Sequence, residues 1–240
     1  QIARELDTDE RVWHRLLEQN ADRLRQGSGL LAADFGFRSA VNSGDQGTIQ
    51  SALENHGARI GAVVTALLDT QFALRAASLA ESMPPQPDSL LPVIQSLAVQ
   101  PQASQVAVLG GQAYMFVMVP LKAPVVIGWV LMGFPIGQPL AEEMRQLLAV
   151  DVAVLVQPQG AAMSLPVSTL TGAALAQLRD SAGAVGELET EAGTLLVRSI
   201  SLDALGGQVH ALLLRSVDPL VAPYRQLQFL LASITVGGLL

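Results

Sequence analysis

The hydrophobic period of this chain changes from helical to strand-like near residue 60, and that change restricts the folds open to it. Before residue 60, apolar residues recur at helical spacing. After it, most come in short strand-like runs separated by Gly and Pro, with a few short helical stretches between them. Leu6, Trp13, Leu17, Leu24 and Leu31 fall at intervals of seven, or of four plus three, and define one apolar stripe. The stripe predicts a helix over residues 5–26, capped by Asp7 or Thr8. Asp9 and Glu10 lie in its first turn, where the helix dipole favours acids. Gly27-Ser28-Gly29 is expected to interrupt it. A second helix is expected over 30–42, with Asp34 to Ala40 inside it and Gly44 ending it. A third is expected over 45–58.

Beyond residue 60 the pattern predicts strands over 62–68 and 72–77, joined by Asp69-Thr70-Gln71. Met83 to Pro87 reads as a loop, because Pro removes a backbone donor and fixes φ. A short helix over 90–97 precedes strands over 106–109, 113–119 and 125–134. Gly110-Gly111 makes the first of their turns. The order then recurs. A helix over 138–148 leads to a strand over 152–156, a weak strand over 162–165 and a helix over 170–179. Strands over 185–191, 194–201 and 208–216 follow, with turns at Ala192-Gly193 and Leu205-Gly206-Gly207. Two passes through one plan imply a duplication in order of elements, without residue identity. The expected class is α+β: a long N-terminal helix, then two tandem modules, each an antiparallel sheet with flanking helices. The divisions are a helical stalk over 1–60, a first module over 61–137, a second over 138–217 and a final segment over 218–240.

The final segment carries no charge after Arg225 and grows more apolar towards Gly237-Gly238-Leu239-Leu240. A bilayer crossing takes about 20 residues. The segment is therefore expected to be the start of a transmembrane helix. The other end opens with Gln1-Ile2-Ala3, with neither Met nor a signal region, and a preceding transmembrane helix is the matching expectation.

Composition removes several classes of function. The net charge is −7, and Lys122 is the only Lys, so no basic surface for nucleic acid can form. There is no Cys, which excludes thiol catalysis, disulfides and Cys-ligated zinc. His14, His56 and His210 lack metal-ligand spacing, and neither a metal nor a cofactor is expected. No serine-nucleophile elbow or phosphate-binding loop occurs. Glu142-Glu143 opens a helix, and Glu187, Glu189 and Glu191 share one exposed strand face, so both acid clusters read as solvated. No catalytic residue is assigned.

Particular runs carry a resemblance. Gly29-Leu30-Leu31-Ala32-Ala33-Asp34-Phe35-Gly36-Phe37-Arg38-Ser39-Ala40, followed by Leu67-Leu68-Asp69, resembles a double Cache sensor domain. So does Val119-Pro120-Leu121-Lys122-Ala123-Pro124 followed by Ile127-Gly128-Trp129-Val130-Leu131-Met132-Gly133-Phe134. The resemblance covers about residues 5–220. It is closest to the variety found ahead of bacterial GGDEF or GGDEF–EAL modules, although such sensors also precede histidine kinases and chemoreceptors. It implies two PAS-like modules on a long helix, lying in the periplasm between two helices of the inner membrane. It also implies a ligand or partner cue passed inward to a cyclic-di-GMP output. Asp34 and Arg38, spaced i, i+4, would then anchor helix to module. The amino-acid-binding signature of this family, a fixed run of Arg, Trp and Tyr with a later Tyr and Asp, is missing. Only Tyr114 and Tyr224 occur.

Two further expectations concern partners. The seven-residue rhythm of the first helix predicts pairing with its copy in a homodimer. Tyr114, Phe116 and Met118 alternate along one strand and share a face turned away from helical cover. Arg75 is the one charge in Phe72 to Ala77, and Trp129 is one of two Trp residues. Arg75, Tyr114, Phe116 and Trp129 are therefore the candidate ligand-binding residues, suited to a small carboxylate. The alternative is that the aromatics are core and Arg75 is an ordinary surface residue.

Overall fold

The computed structural model describes residues 2–79, 87–181, 186–190 and 193–217, and the side chains of these from residue 10 onward except that of Pro87. The expected loop at residues 83–86, Glu191, the turn residue Ala192 and the apolar segment 218–240 lie outside the described residues. No helix among the described residues is long and apolar enough to cross a membrane.

Helix α1 runs unbroken over Ile2–Ala32. The expected interruption at Gly27-Ser28-Gly29 does not occur. Each Gly costs a helix interior about 1 kcal/mol relative to Ala, but burial outweighs that here. Ser28 and Ala32 are buried, and Leu24 and Leu31 pack against the first sheet. The chain breaks instead at Asp34, which is not inside a helix but caps the next one. Its carboxylate accepts from the Phe37 amide at 2.9 Å and starts α2, Phe35–Ser43. Gly44 ends α2 with φ 71°, in the left-handed region that favours glycine. Asp45 then caps α3, Gln46–Arg59, by accepting from the Thr48 amide.

The first sheet comprises β1 (Val64–Leu68), β2 (Leu74–Leu79), β3 (Ser104–Leu109), β4 (Gln112–Lys122) and β5 (Val126–Pro135), with α4 (Leu91–Val99) between β2 and β3. The second comprises β6 (Asp151–Pro158), β7 (Ser164–Ser168), β8 (Gly186–Thr190), β9 (Gly193–Leu202) and β11 (Gly207–Ser216). Helix α5 (Gln138–Leu148) precedes β6, and α6 (Gly172–Asp180) separates β7 from β8. A two-residue strand, β10 (Ala204–Leu205), leaves the second module's chain and pairs in parallel with Val106 and Ala107 of β3.

The strand order shows the expected repetition. Leaving aside β10, which adds a sixth strand at the β3 edge, the first sheet reads β2-β1-β5-β4-β3 and the second β7-β6-β11-β9-β8. Numbered within each module, both are 2-1-5-4-3. All pairings within these two sets of five are antiparallel.

Helix α1 serves both sheets. Trp13, Leu17 and Ala21 join a core with α5 and with Val152, Val154, Ala211 and Leu213 of the second sheet. Leu24 and Ala32 join a core with α2, α3 and Val117, Val119 and Leu121 of the first. Glu10 accepts from Arg198 of β9 at 2.6 Å, and Arg23 meets Glu143 of α5 at 3.3 Å. The stripe that suggested pairing between copies is therefore used inside the chain.

The strand after the Asp69 turn begins later than expected. Asp69 Oδ1 accepts from the amides of both Gln71 and Ala73, each at 2.9 Å. This side chain replaces ladder bonds and extends the turn, so β2 starts at Leu74 instead of Phe72.

Candidate functional site

The two faces of the first sheet differ from the expected arrangement. Tyr114, Phe116 and Met118 do share a face, but it is not free of helical cover. Leu90, Val93, Ile94 and Leu97, from α4 and the turn before it, pack onto it. Phe116 is fully buried. Its ring lies against Gly133 of β5, where an added Cβ would sit 2.5 Å from Phe116 Cε1. Burial pushes the Tyr114 hydroxyl above its ordinary pKa.

Arg75 does not join these aromatics. It projects from β2 into solvent, and its guanidinium pairs with Asp69 Oδ2 at 2.7 Å. The structure thus gathers Tyr114, Phe116 and Trp129 around one core and leaves Arg75 outside it. The local Asp34–Arg38 pair is also replaced. Asp34 faces the α2 N-terminus and lies 3.9 Å from His56 Nε2, while Arg38 donates to the Lys122 carbonyl at 3.4 Å. Arg38 therefore ties α2 to the end of β4.

Trp129 is half-buried and stands at the rim of the core. Its ring stacks on Phe72, with centroids 5.2 Å apart and planes at 27°. Phe72 holds a φ of 62°, uncommon for a bulky residue, within the Asp69 turn. Trp129 also lines a pocket of about 550 Å³.

That pocket arises because β3 is shorter than β4. Strand β3 begins at Ser104, opposite Val117. Residues Met118 to Lys122 of β4 run on without a partner on that side, paired only with β5. Helix α1 crosses this free edge with Gly29 and Ala32, and Ala33 follows in the turn after it, residues too small to fill the space. A Cβ added at Gly29 would meet nothing within 4 Å. Pro101 and Gln102 close one side. Apolar surface dominates the lining, with Met118, Val119, Pro120 and Trp129 prominent, and three cations stand around it: Arg25, Arg38 and Lys122. Sequence reasoning missed Arg25, Arg38 and Lys122 as a group. Their convergence needs the α1–β4 crossing; the sequence marked Lys122 as the one lysine and Arg38 as a helix anchor, and neither as part of a pocket.

Elsewhere two of the acids singled out in the sequence, Glu142 and Glu189, have local partners. Glu142 binds Arg145, whose guanidinium holds its carboxyl below the usual range. Thr194 donates to Glu189, and Ser199 lies 3.3 Å from His210. No group of acids and histidines able to hold a metal occurs among the described residues.

Two sheets of one strand order, joined along a shared helix, define a tandem sensory domain. A family model described as "Double sensory domain of two-component sensor kinase", dCache_3, matches residues 1–211, and the chain belongs to this double Cache family. Domains of the family are extracytoplasmic sensor regions of membrane proteins and are sensory, not catalytic. Among solved structures, the chain is similar to the periplasmic domain of Vibrio cholerae LuxQ. One crystal structure of it is 11% identical and has a TM-score of 0.59, with 87% of this chain and 98% of that one covered. A second is 12% identical and has a TM-score of 0.61, with 88% and 98% covered. No curated protein matches the chain.

Proposed function

We propose that this chain is the periplasmic sensor region of a signalling protein of the bacterial inner membrane. It binds a small molecule in the first module and passes the change inward along α1. One observation carries the reading: α1 is a single helix that lines the pocket at Gly29 and Ala32 and is pinned to the second sheet by Trp13 and Glu10. A rigid rod in contact with both modules transmits a displacement from one to the other. Transmembrane helices on either side of the segment would carry it across the bilayer. In a homodimer the two copies would meet through the outer face of α1, where Val12 is exposed.

The output we propose is cyclic-di-GMP turnover by a GGDEF or GGDEF–EAL module, supported by the sequence runs around Asp34 and Trp129. A second reading, a histidine kinase, is favoured by the description of the matching family. The intact protein in membrane vesicles distinguishes them. Conversion of GTP to cyclic-di-GMP supports the first, and autophosphorylation from ATP the second. Absence of both activities, together with no control of a chemotaxis kinase, would sink the transmitter reading.

A further inference from the structure

We propose that the pocket at the free edge of β4 takes a small monocarboxylate with an apolar body and no amino group. This deepens the sensor reading and rests on it.

The charge balance of the pocket sets the sign of the ligand. The chain as a whole is acidic, at −7, yet three of its 14 basic side chains line this one cavity. No Asp or Glu is among the described lining residues. Arg25 has one neutralising partner, Asp22, which stands outside the lining. Arg38 spends one donor on the Lys122 carbonyl, and no carboxylate among the described residues pairs with Arg38 or Lys122. A guanidinium offers five donors, so Arg38 keeps capacity for an anion after that bond.

The rest of the lining sets the body of the ligand. Trp129 offers a ring face already braced by Phe72, and Met118 and Pro120 add apolar surface. Met is a deformable wall that suits a flat or branched apolar group. About 550 Å³ lies within the range of small-molecule sites. An α-ammonium on the ligand would meet three cations and no acid, which disfavours amino acids. A highly charged anion would leave the apolar walls unmatched.

Isothermal titration of the chain with three probes of one shape tests this. They are 3-phenylpropionate, L-phenylalanine (the same body with an ammonium) and 3-phenylpropionamide (the same body without charge). The expected result is binding of 3-phenylpropionate, with the other two at least tenfold weaker. Lys122→Gln, an exposed change that leaves the core intact, should weaken 3-phenylpropionate about tenfold or more. Gly29→Leu fills the cavity while improving helix propensity, and should abolish binding. Arg75→Gln should bind as the unaltered chain does. The proposal is overturned if phenylalanine binds as well as 3-phenylpropionate, or if Lys122→Gln and Gly29→Leu both bind normally. It is overturned equally if the folded chain takes up no 3-phenylpropionate at millimolar concentration. The sensor reading fails by a different result, an intact protein in membranes with neither output activity and no control of a chemotaxis kinase.

Discussion

The two sheets share one strand order but differ in what they leave unfilled. In the second sheet, one face is packed by α1 and α5, and the other by Leu178 and its neighbours on α6. A pocket of about 300 Å³ between α1 and α5 has its charges matched, Arg23 against Glu143. In the first sheet, one strand outruns its neighbour, the crossing helix presents Gly and Ala, and of the three lining cations only Arg25 has an acid partner among the described residues, Asp22, which stands outside the lining. The same topology thus yields a packed support in one copy and a candidate receptor in the other. Strand length and residue size at a single helix crossing make the difference.

Core truncations should break this comparison most sharply. Phe116→Ala and Trp13→Ala should each cost about 3–5 kcal/mol, measured by urea unfolding, because both side chains are fully buried. Hydrogen exchange should separate them. Phe116→Ala should expose amides of the first sheet, and Trp13→Ala those of the second sheet and α5. Equal exposure of both sheets in both variants would show that the two form one cooperative unit.

A smaller effect is expected where the first sheet is tightest. Gly133→Ala places a Cβ against the Phe116 ring and should cost about 1–3 kcal/mol by the same measurement. A neutral result would mean that the ring has room to move, and that the core beside the pocket is softer than the packing implies.

Acid should distinguish the modules next. Hydrogen bonds from backbone amides hold the Asp34 and Asp69 carboxyls below the usual range, and the Thr48 hydroxyl and amide do the same for Asp45. All three precede α4. Among the described residues of the second half, Glu142 is the acid similarly depressed, by Arg145. A carboxyl depressed in the folded state contributes stability above its unfolded pKa and loses it as pH falls through the folded value. Below about pH 4, residues 34–79 should therefore loosen before the second sheet, as read by amide exchange. Simultaneous loss, or earlier loss in the second sheet, would count against this assignment.

Arg75→Ala should do least. The Arg75–Asp69 pair is solvent-exposed, so the melting temperature should move by at most about 2 °C. A larger fall would show that the pair, and not the Asp69 amide bonds alone, holds the turn beside Phe72 and Trp129.

The chain's architecture was largely legible. Gly44, Gly110-Gly111 and Leu205-Gly206-Gly207 mark ends and turns that the structure contains, and the alternation of Tyr114, Phe116 and Met118 assigned them to one face. These features are local, and local backbone preference decides them. Gly27-Ser28-Gly29 misled because weak propensity yields to burial along a long helix. Asp34 misled because a residue read as an intrahelical pair member became a cap, a role set by where the preceding helix stops. Arg75 misled because its nearest charge, Asp69, lies across a turn that its own carboxylate extends.

The sequence by itself determined the element types, their repeated order and the absence of thiol chemistry. Periodicity, turn residues and composition are properties of the chain before it folds. The tertiary structure alone decided that Arg25, Arg38 and Lys122 meet around one cavity. They come from α1, α2 and β4, nearly a hundred residues apart at the extreme. No local preference records that α1 passes over the overhang of β4 at Gly29. That crossing follows from burying one helix against two sheets at once, a free energy that belongs to the whole fold.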